Sequence, residues 1–229
     1  MEYNMNYQEF KLGKLRYVIH YPDGFEPNKP QPVLFVLNGA GSRGDDITPC
    51  VNVRSVTLGL PNFPEYPFVT VVPLCHTDNW FDLFEHLEEL VRFIASQPYT
   101  DRKRIYMMGA SMGGYATWQL AMSMPQYFAA IAPICGGGMY WESGRLVQVA
   151  VWAFHGAKDP LVLCRESEIF VETINKRGGN AKLTLYPENA HDAWTDTFSN
   201  PEVYRWFLSH EKADAAPLTD DFRDPELFG

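Results

Sequence analysis

An α/β protein with a mostly parallel central sheet and helices on both faces is the architecture this sequence predicts. Three observations predict it. Continuous apolar runs such as Pro32-Val-Leu-Phe-Val-Leu37, Phe68-Val-Thr-Val-Val72 and Val149-Ala-Val-Trp-Ala-Phe154 read as strands buried on both faces. Stretches with helical periodicity separate them, so strands and helices alternate along the chain. A length of 229 residues suffices for one full core of this type.

The elements follow in order. Glu9-Phe-Lys-Leu12 and Leu15-Arg-Tyr-Val-Ile-His-Tyr21 flank Gly13 and predict a hairpin. Residues 22–32, rich in Pro, Gly and Asn, predict a loop, and strands follow at Val33–Leu37 and Phe68–Val72. Asp82 to Gln97 carries Leu83, Leu87, Leu90, Val91 and Ile94 on one stripe and acids opposite, the pattern of an amphipathic helix. Ile105–Met108 predicts a strand and Met112–Met124 a helix. Strands follow at Phe128–Ile134 and Val149–Phe154, then a helix over Leu163–Lys176 that Arg177-Gly-Gly179 ends. Ala181–Tyr186 reads as a strand and Pro201–Glu211 as the last helix. No repeat or linker interrupts residues 1–212, which predict a single domain. The tail over 213–229 is polar, with Phe222, Leu227 and Phe228 as its apolar contacts.

Composition excludes several classes. A net charge of -9 speaks against nucleic acid and anionic membranes as partners, because both call for a basic face. No run reaches transmembrane length. The first residues have neither a basic start nor an apolar core and do not form a signal peptide. Cys50, Cys75, Cys135 and Cys164 lack metal-type spacing, so no metal is expected. A reduced, cytoplasmic setting is the expectation; a secreted chain trimmed of its leader would look the same.

The chemistry centres on Gly109-Ala-Ser111-Met-Gly113. A strand before it and a small-residue helix after it give the form of a nucleophile elbow. A serine on such a turn needs small neighbours two residues away on either side, and the new helix points its positive end at developing negative charge. A serine also needs a base, and the base an acid. Asp159 follows one buried strand, in Phe154-His-Gly-Ala-Lys-Asp159, and His191 follows the next, in Asn189-Ala-His191-Asp-Ala-Trp. Loops at the carboxyl ends of strands are where an open α/β sheet collects its site. Asp192 and Glu142 are alternative acids. Asp192 is too close to His191 along the chain, and Glu142 follows an earlier strand. Among the other histidines, His155 reads as a core residue, and His20, His86 and His210 as unremarkable.

Gly109-Ala-Ser-Met-Gly-Gly-Tyr, Ala132-Pro-Ile-Cys-Gly-Gly-Gly, Phe154-His-Gly-Ala-Lys-Asp-Pro-Leu-Val and Asn189-Ala-His-Asp-Ala-Trp together resemble the α/β-hydrolases. The resemblance is to the compact serine esterases related to dienelactone hydrolases, prolyl-oligopeptidase-type domains, and feruloyl and acetylxylan esterases. It spans about Val33 to Leu208 and implies an α/β-hydrolase fold with a Ser111–Asp159–His191 triad and no cofactor. The residue after the nucleophile, Met112, supplies one oxyanion N–H. The loop Asn38-Gly39-Ala40 supplies the other through Ala40, with Asn38 where the related enzymes carry His. The short stretch between Ile134 and Val149 leaves no room for a cap domain, so an open cleft is expected. Trp80, His76, Tyr140, Trp141 and Trp194 are candidate substrate contacts. The predicted function is hydrolysis of small-molecule carboxylic esters, short-chain, carbohydrate or aryl. A peptidase or amidase, and a non-catalytic ligand receptor, are the alternatives.

Overall fold

A computed structural model describes residues 6–63 and 65–218. The expectation placed on Phe222, Leu227 and Phe228 lies outside them. Eight strands form one sheet: β1 (Asn6–Leu12), β2 (Leu15–Tyr21), β3 (Gln31–Leu37), β4 (Val69–Pro73), β5 (Thr100–Ala110), β6 (Ala130–Ile134), β7 (Ala150–Gly156) and β8 (Ala181–Tyr186). Their spatial order is β1-β2-β4-β3-β5-β6-β7-β8. The hairpin β1–β2 and the β2–β4 pair are antiparallel, and every other neighbour is parallel.

The helices are α1 (Thr48–Val51), α2 (Arg54–Thr57), α3 (Gly59–Asn62), α4 (Phe84–Ala95), α5 (Met112–Ser123), α6 (Arg165–Lys176), α7 (Trp194–Ser199) and α8 (Pro201–Leu208). Crossover handedness distributes them. From β3 the chain steps to β4 in one direction and returns past β3 to β5 in the other. Right-handed crossovers therefore put α1–α3 on the face opposite α4, α5 and α6. Val33, Phe35, Leu37, Met107, Ile131 and Val151 face Leu87, Ile94, Trp118, Phe170 and Ile174 on one side. Leu34, Val36, Tyr106, Met108, Ala132 and Phe154 face Val53, Val56, Val203, Tyr204 and Phe207 on the other. Strand residues alternate between two cores, which is why the central strands read as unbroken apolar runs. Trp118 of α5 stacks on Phe170 of α6 at 4.1 Å, and each such fully buried ring contributes about 1.5–3 kcal/mol.

The predicted elements differ from the observed ones mainly at their ends. β5 begins at Thr100, five residues before the predicted strand, because a partly polar stretch still pairs at Gln31↔Thr100. Helix α4 is preceded by a 3-10 turn over Trp80–Leu83, which Asn79 caps by accepting from the Phe81 N–H. The three short helices over residues 48–62, and α7, carry too few turns to show a period. Residues beyond α8 dock at the start of β5, where Ala216 is buried and its N–H donates to the Arg102 carbonyl. Among the described residues no cap domain covers the carboxyl edge: β6 and β7 are joined by residues 135–149, which hold one 3-10 turn, Tyr140–Leu146.

Candidate active site

The sheet changes winding direction between β3 and β5, and an open α/β sheet forms its crevice at the carboxyl ends of such strands. Ser111 sits there, between the end of β5 and the start of α5, at φ 54° and ψ -116°. A non-glycine residue at positive φ stores of order 1–3 kcal/mol. Its surroundings hold it in place. The Ser111 N–H donates to the Ile134 carbonyl at 2.8 Å, and its own carbonyl receives the Tyr115 N–H at 3.0 Å. The flanking glycines are steric requirements. A Cβ on Gly109 would lie 2.6 Å from Thr117 Oγ1, and one on Gly113 would run into the Leu37 carbonyl.

Asp159 and His191 arrive from the ends of β7 and β8. His191 Nδ1 lies 2.7 Å from Asp159 Oδ2, and His191 Nε2 lies 2.8 Å from Ser111 Oγ. A carboxylate only accepts, so Nδ1 carries the proton. The Nε2 lone pair then faces the serine hydroxyl, ready to take its proton. The Leu161 and Val162 N–H groups donate to Asp159 Oδ1 at 2.9 and 3.0 Å. Burial alone would raise the Asp159 pKa. The hydrogen bonds from His191, Val162 and Leu161, with the nearby His191 charge, outweigh it and hold the carboxyl below its ordinary value. The alternative acids are placed elsewhere. Asp192 accepts from the Thr195 N–H and hydroxyl at the start of α7, and Glu142 lies exposed in the 3-10 turn.

The loop after β3 passes close to Ser111: a Cβ on Gly39 would lie 3.5 Å from Ser111 Cβ. Ala40 opens a 3-10 turn and Met112 opens α5, so the N–H of each starts a helix without an intrahelical partner. Asn38 Nδ2 donates to Cys50 Sγ at 3.7 Å, and the Asn38 carbonyl accepts from Trp80 Nε1 at 2.9 Å. Arg43 donates to the Ala40 carbonyl through Nε and to the Asp78 carbonyl through Nη1. The loop is thus tied to residues 78–80.

These contacts correct one expectation. Trp80 is fully buried with its indole N–H committed to Asn38, so it braces the loop and does not face a substrate. Trp194 is half-buried and presents an edge to the His191 ring at 5.3 Å. Tyr140 and Trp141 are exposed and pack edge to face at 5.4 Å, and His76 is half-buried on the loop after β4. A groove of about 440 Å³ opens instead beside α5, lined by Phe81, Phe84, Tyr115, Gln119, Gly137, Gly138 and Met139. Tyr115 follows Ser111 by one helical turn. Burial raises its phenol pKa, and the negative charges of Glu166 and Asp159 add to that. Sequence reasoning missed this lining. The available signal was the spacing of Tyr115 and Gln119, four and eight residues after Ser111 on one helix face.

Cys135 Sγ, a ring nitrogen of His155 and a carboxylate oxygen of Asp159 lie within 4.8 Å of one another. Each already has a protein partner: Cys135 donates to the His191 carbonyl at 3.1 Å, and burial pushes its thiol up to about 11.

The sequence profile of the dienelactone hydrolase family matches residues 76–217. Among curated proteins, a probable feruloyl esterase C of Aspergillus oryzae is 23% identical over 158 residues, covering 66% of this chain and 57% of that protein. One of Aspergillus niger is 20% identical over 209 residues, covering 88% of this chain and 77% of that protein. The match to the Aspergillus oryzae relative thus spans little more than half of its length. Among solved structures, a thermostable esterase superposes with a TM-score of 0.81 at 26% identity, covering 91% of this chain and 64% of the other. A feruloyl esterase module from Clostridium thermocellum, complexed with sinapinate, superposes with a TM-score of 0.68 at 16% identity and 87% coverage of both chains.

Proposed function

Since this chain belongs to the dienelactone hydrolase family, we propose that it is a serine esterase acting on small-molecule carboxylic esters through a Ser111–His191–Asp159 triad. The carrying observation is the unbroken relay from Ser111 Oγ through both ring nitrogens of His191 to Asp159. In this reading Ser111 attacks the ester carbonyl while His191 Nε2 takes its proton. The oxyanion forms against the N–H groups of Met112 and Ala40, each worth about 3 kcal/mol in the transition state. His191 returns the proton to the leaving alcohol. Water, activated by the same ring, then hydrolyses the acyl-enzyme and restores Ser111.

For the substrate, we propose an ester with an aromatic group seated in the groove beside α5. The names of the relatives and the walls of Phe81, Phe84, Tyr115 and Met139 support this. A panel of acetyl, butyryl and arylpropenoyl nitrophenyl esters, with a peptide anilide as control, tests both parts. Turnover of esters with a pre-steady-state burst, fastest for the aryl member, is expected. Turnover of the anilide alone would reject the esterase reading, and equal rates across the esters would reject the groove.

A further inference from the structure

A second histidine stands behind the acid of the site. His155 is the penultimate residue of β7, four residues before Asp159, and its ring is completely buried. Its Nδ1 lies 2.8 Å from Ser167 Oγ. Its Nε2 lies 2.9 Å from the Val162 carbonyl and 3.4 Å from Asp159 Oδ2. Burial pushes its pKa below the ordinary value, so the ring is neutral and carries one N–H. Geometry decides which nitrogen holds it. Two groups that only accept face Nε2, whereas the group facing Nδ1 is a hydroxyl, which can donate. A proton on Nδ1 would set the Nε2 lone pair against a carbonyl and a carboxylate in a pocket closed to water. The proton is therefore on Nε2, and Ser167, on the first turn of α6, donates to Nδ1.

We propose that His155 is a positioning residue for the relay: its Nε2–H, donated to the Val162 carbonyl, also lies 3.4 Å from Asp159 Oδ2 and holds in place the carboxylate oxygen that receives His191. The inference rests on the serine-esterase reading above and adds a residue to it. The two carboxylate oxygens are held differently. Oδ1 takes two backbone N–H groups from its own turn. Oδ2 takes His191, which sits on a loop, and the longer contact from His155, which sits on a strand. Val162 closes the arrangement, giving its N–H to Oδ1 and its carbonyl to His155. The acid is thereby tied to β7 and α6, and its oxygen cannot swing without breaking contacts in the core.

The test compares three variants of the full chain. His155→Leu removes the donor and keeps apolar bulk. His155→Gln restores an amide N–H near the Nε2 position. Ser167→Ala removes the group that selects the tautomer. The readouts are kcat and KM on an ester, the rate of Ser111 labelling by a fluorophosphonate, and the NMR resonance of the His191 Nδ1 proton. His155→Leu is expected to slow kcat and labelling by about 10- to 100-fold, the cost of a misplaced catalytic group, with KM within about twofold. It should also broaden the His191 resonance. His155→Gln should recover most of both, and Ser167→Ala should lose at least about threefold in kcat at unchanged KM, a fraction of the cost of full misplacement. Wild-type kcat and resonance in folded His155→Leu, or Gln performing no better than Leu, would overturn the proposal. Where His155→Leu fails to fold, Ser167→Ala decides, and wild-type kcat there overturns it. A wild-type chain that does not label at Ser111 is a different failure, that of the esterase reading itself.

Discussion

Trp80→Phe isolates the brace of the loop that is proposed to supply an oxyanion donor. The substitution keeps an aromatic ring but deletes the indole N–H that donates to the Asn38 carbonyl at 2.9 Å. Trp80 is fully buried and the bond is partly so, which limits how well water can replace the lost donor at that carbonyl. An orphaned buried acceptor costs about 1–3 kcal/mol, and the smaller ring leaves a cavity with a further penalty of similar order. A net loss of about 4 kcal/mol, the middle of that sum, lowers the melting temperature by about 8–16 °C in a chain of this length. The catalytic effect arises because Asn38 lies two residues before Ala40. Complete loss of an oxyanion donor costs about 100- to 1,000-fold in kcat; a loosened donor should cost about tenfold. Thermal melts and steady-state kinetics on one nitrophenyl ester measure the two effects together. A protein that melts lower yet keeps wild-type kcat would show that Trp80 packs without steadying the oxyanion donor, and would refute the reasoning.

Three further predictions follow from the same geometry. Ser111→Ala should abolish ester turnover while its melting temperature stays close to wild type, because the side chain makes no packing contact that alanine lacks; calorimetry beside the assay checks both. Gly113→Ala should destabilise by more than about 3 kcal/mol and remove activity, because its Cβ would enter the fixed Leu37 carbonyl; denaturant unfolding with unchanged midpoint would contradict this. Stability should rise with pH through the acid range. His20 and His155 are held by burial below the ordinary value of 6.5, so the unfolded chain binds their protons first. Their contribution is complete above about pH 6.5 and is lost as pH falls toward the folded values. Asp159, held below 3.8, contributes stability above that value and loses it only at lower pH. Urea midpoints from pH 7 to pH 5 read the histidine part, and His155→Gln should flatten the slope; a midpoint independent of pH would contradict the assignment.

The elements easiest to read in the sequence were those whose signal is local. The central strands show as apolar runs because both their faces are buried; Ser111 and Asp159 each follow such a run closely, and His191 follows the half-exposed edge strand β8. Features set by partners distant in sequence were hidden. Trp80 reads as a rim residue because nothing nearby reveals that Asn38, forty-two residues earlier, accepts its N–H. His155 reads as core, which its burial matches, yet its contact with Asp159 depends on how the chain turns after β7. The groove beside α5 draws on the turn and start of α4, on α5 and on the loop after β6, so its apolar walls are scattered in sequence over Phe81, Phe84, Tyr115 and Met139. Asn38 looks like a departure when seen alone. In the fold its carbonyl and amide are both engaged, by Trp80 and Cys50, and the loop is braced without the histidine that related enzymes carry.

Whether Ser111 is a nucleophile activated by His191 is measured most directly by peptide mapping after reaction with a fluorophosphonate. The predicted result is one adduct per folded chain, on Ser111, absent from Ser111→Ala and strongly slowed in His191→Ala. No adduct on the folded protein, or an adduct at another residue, would contradict the account.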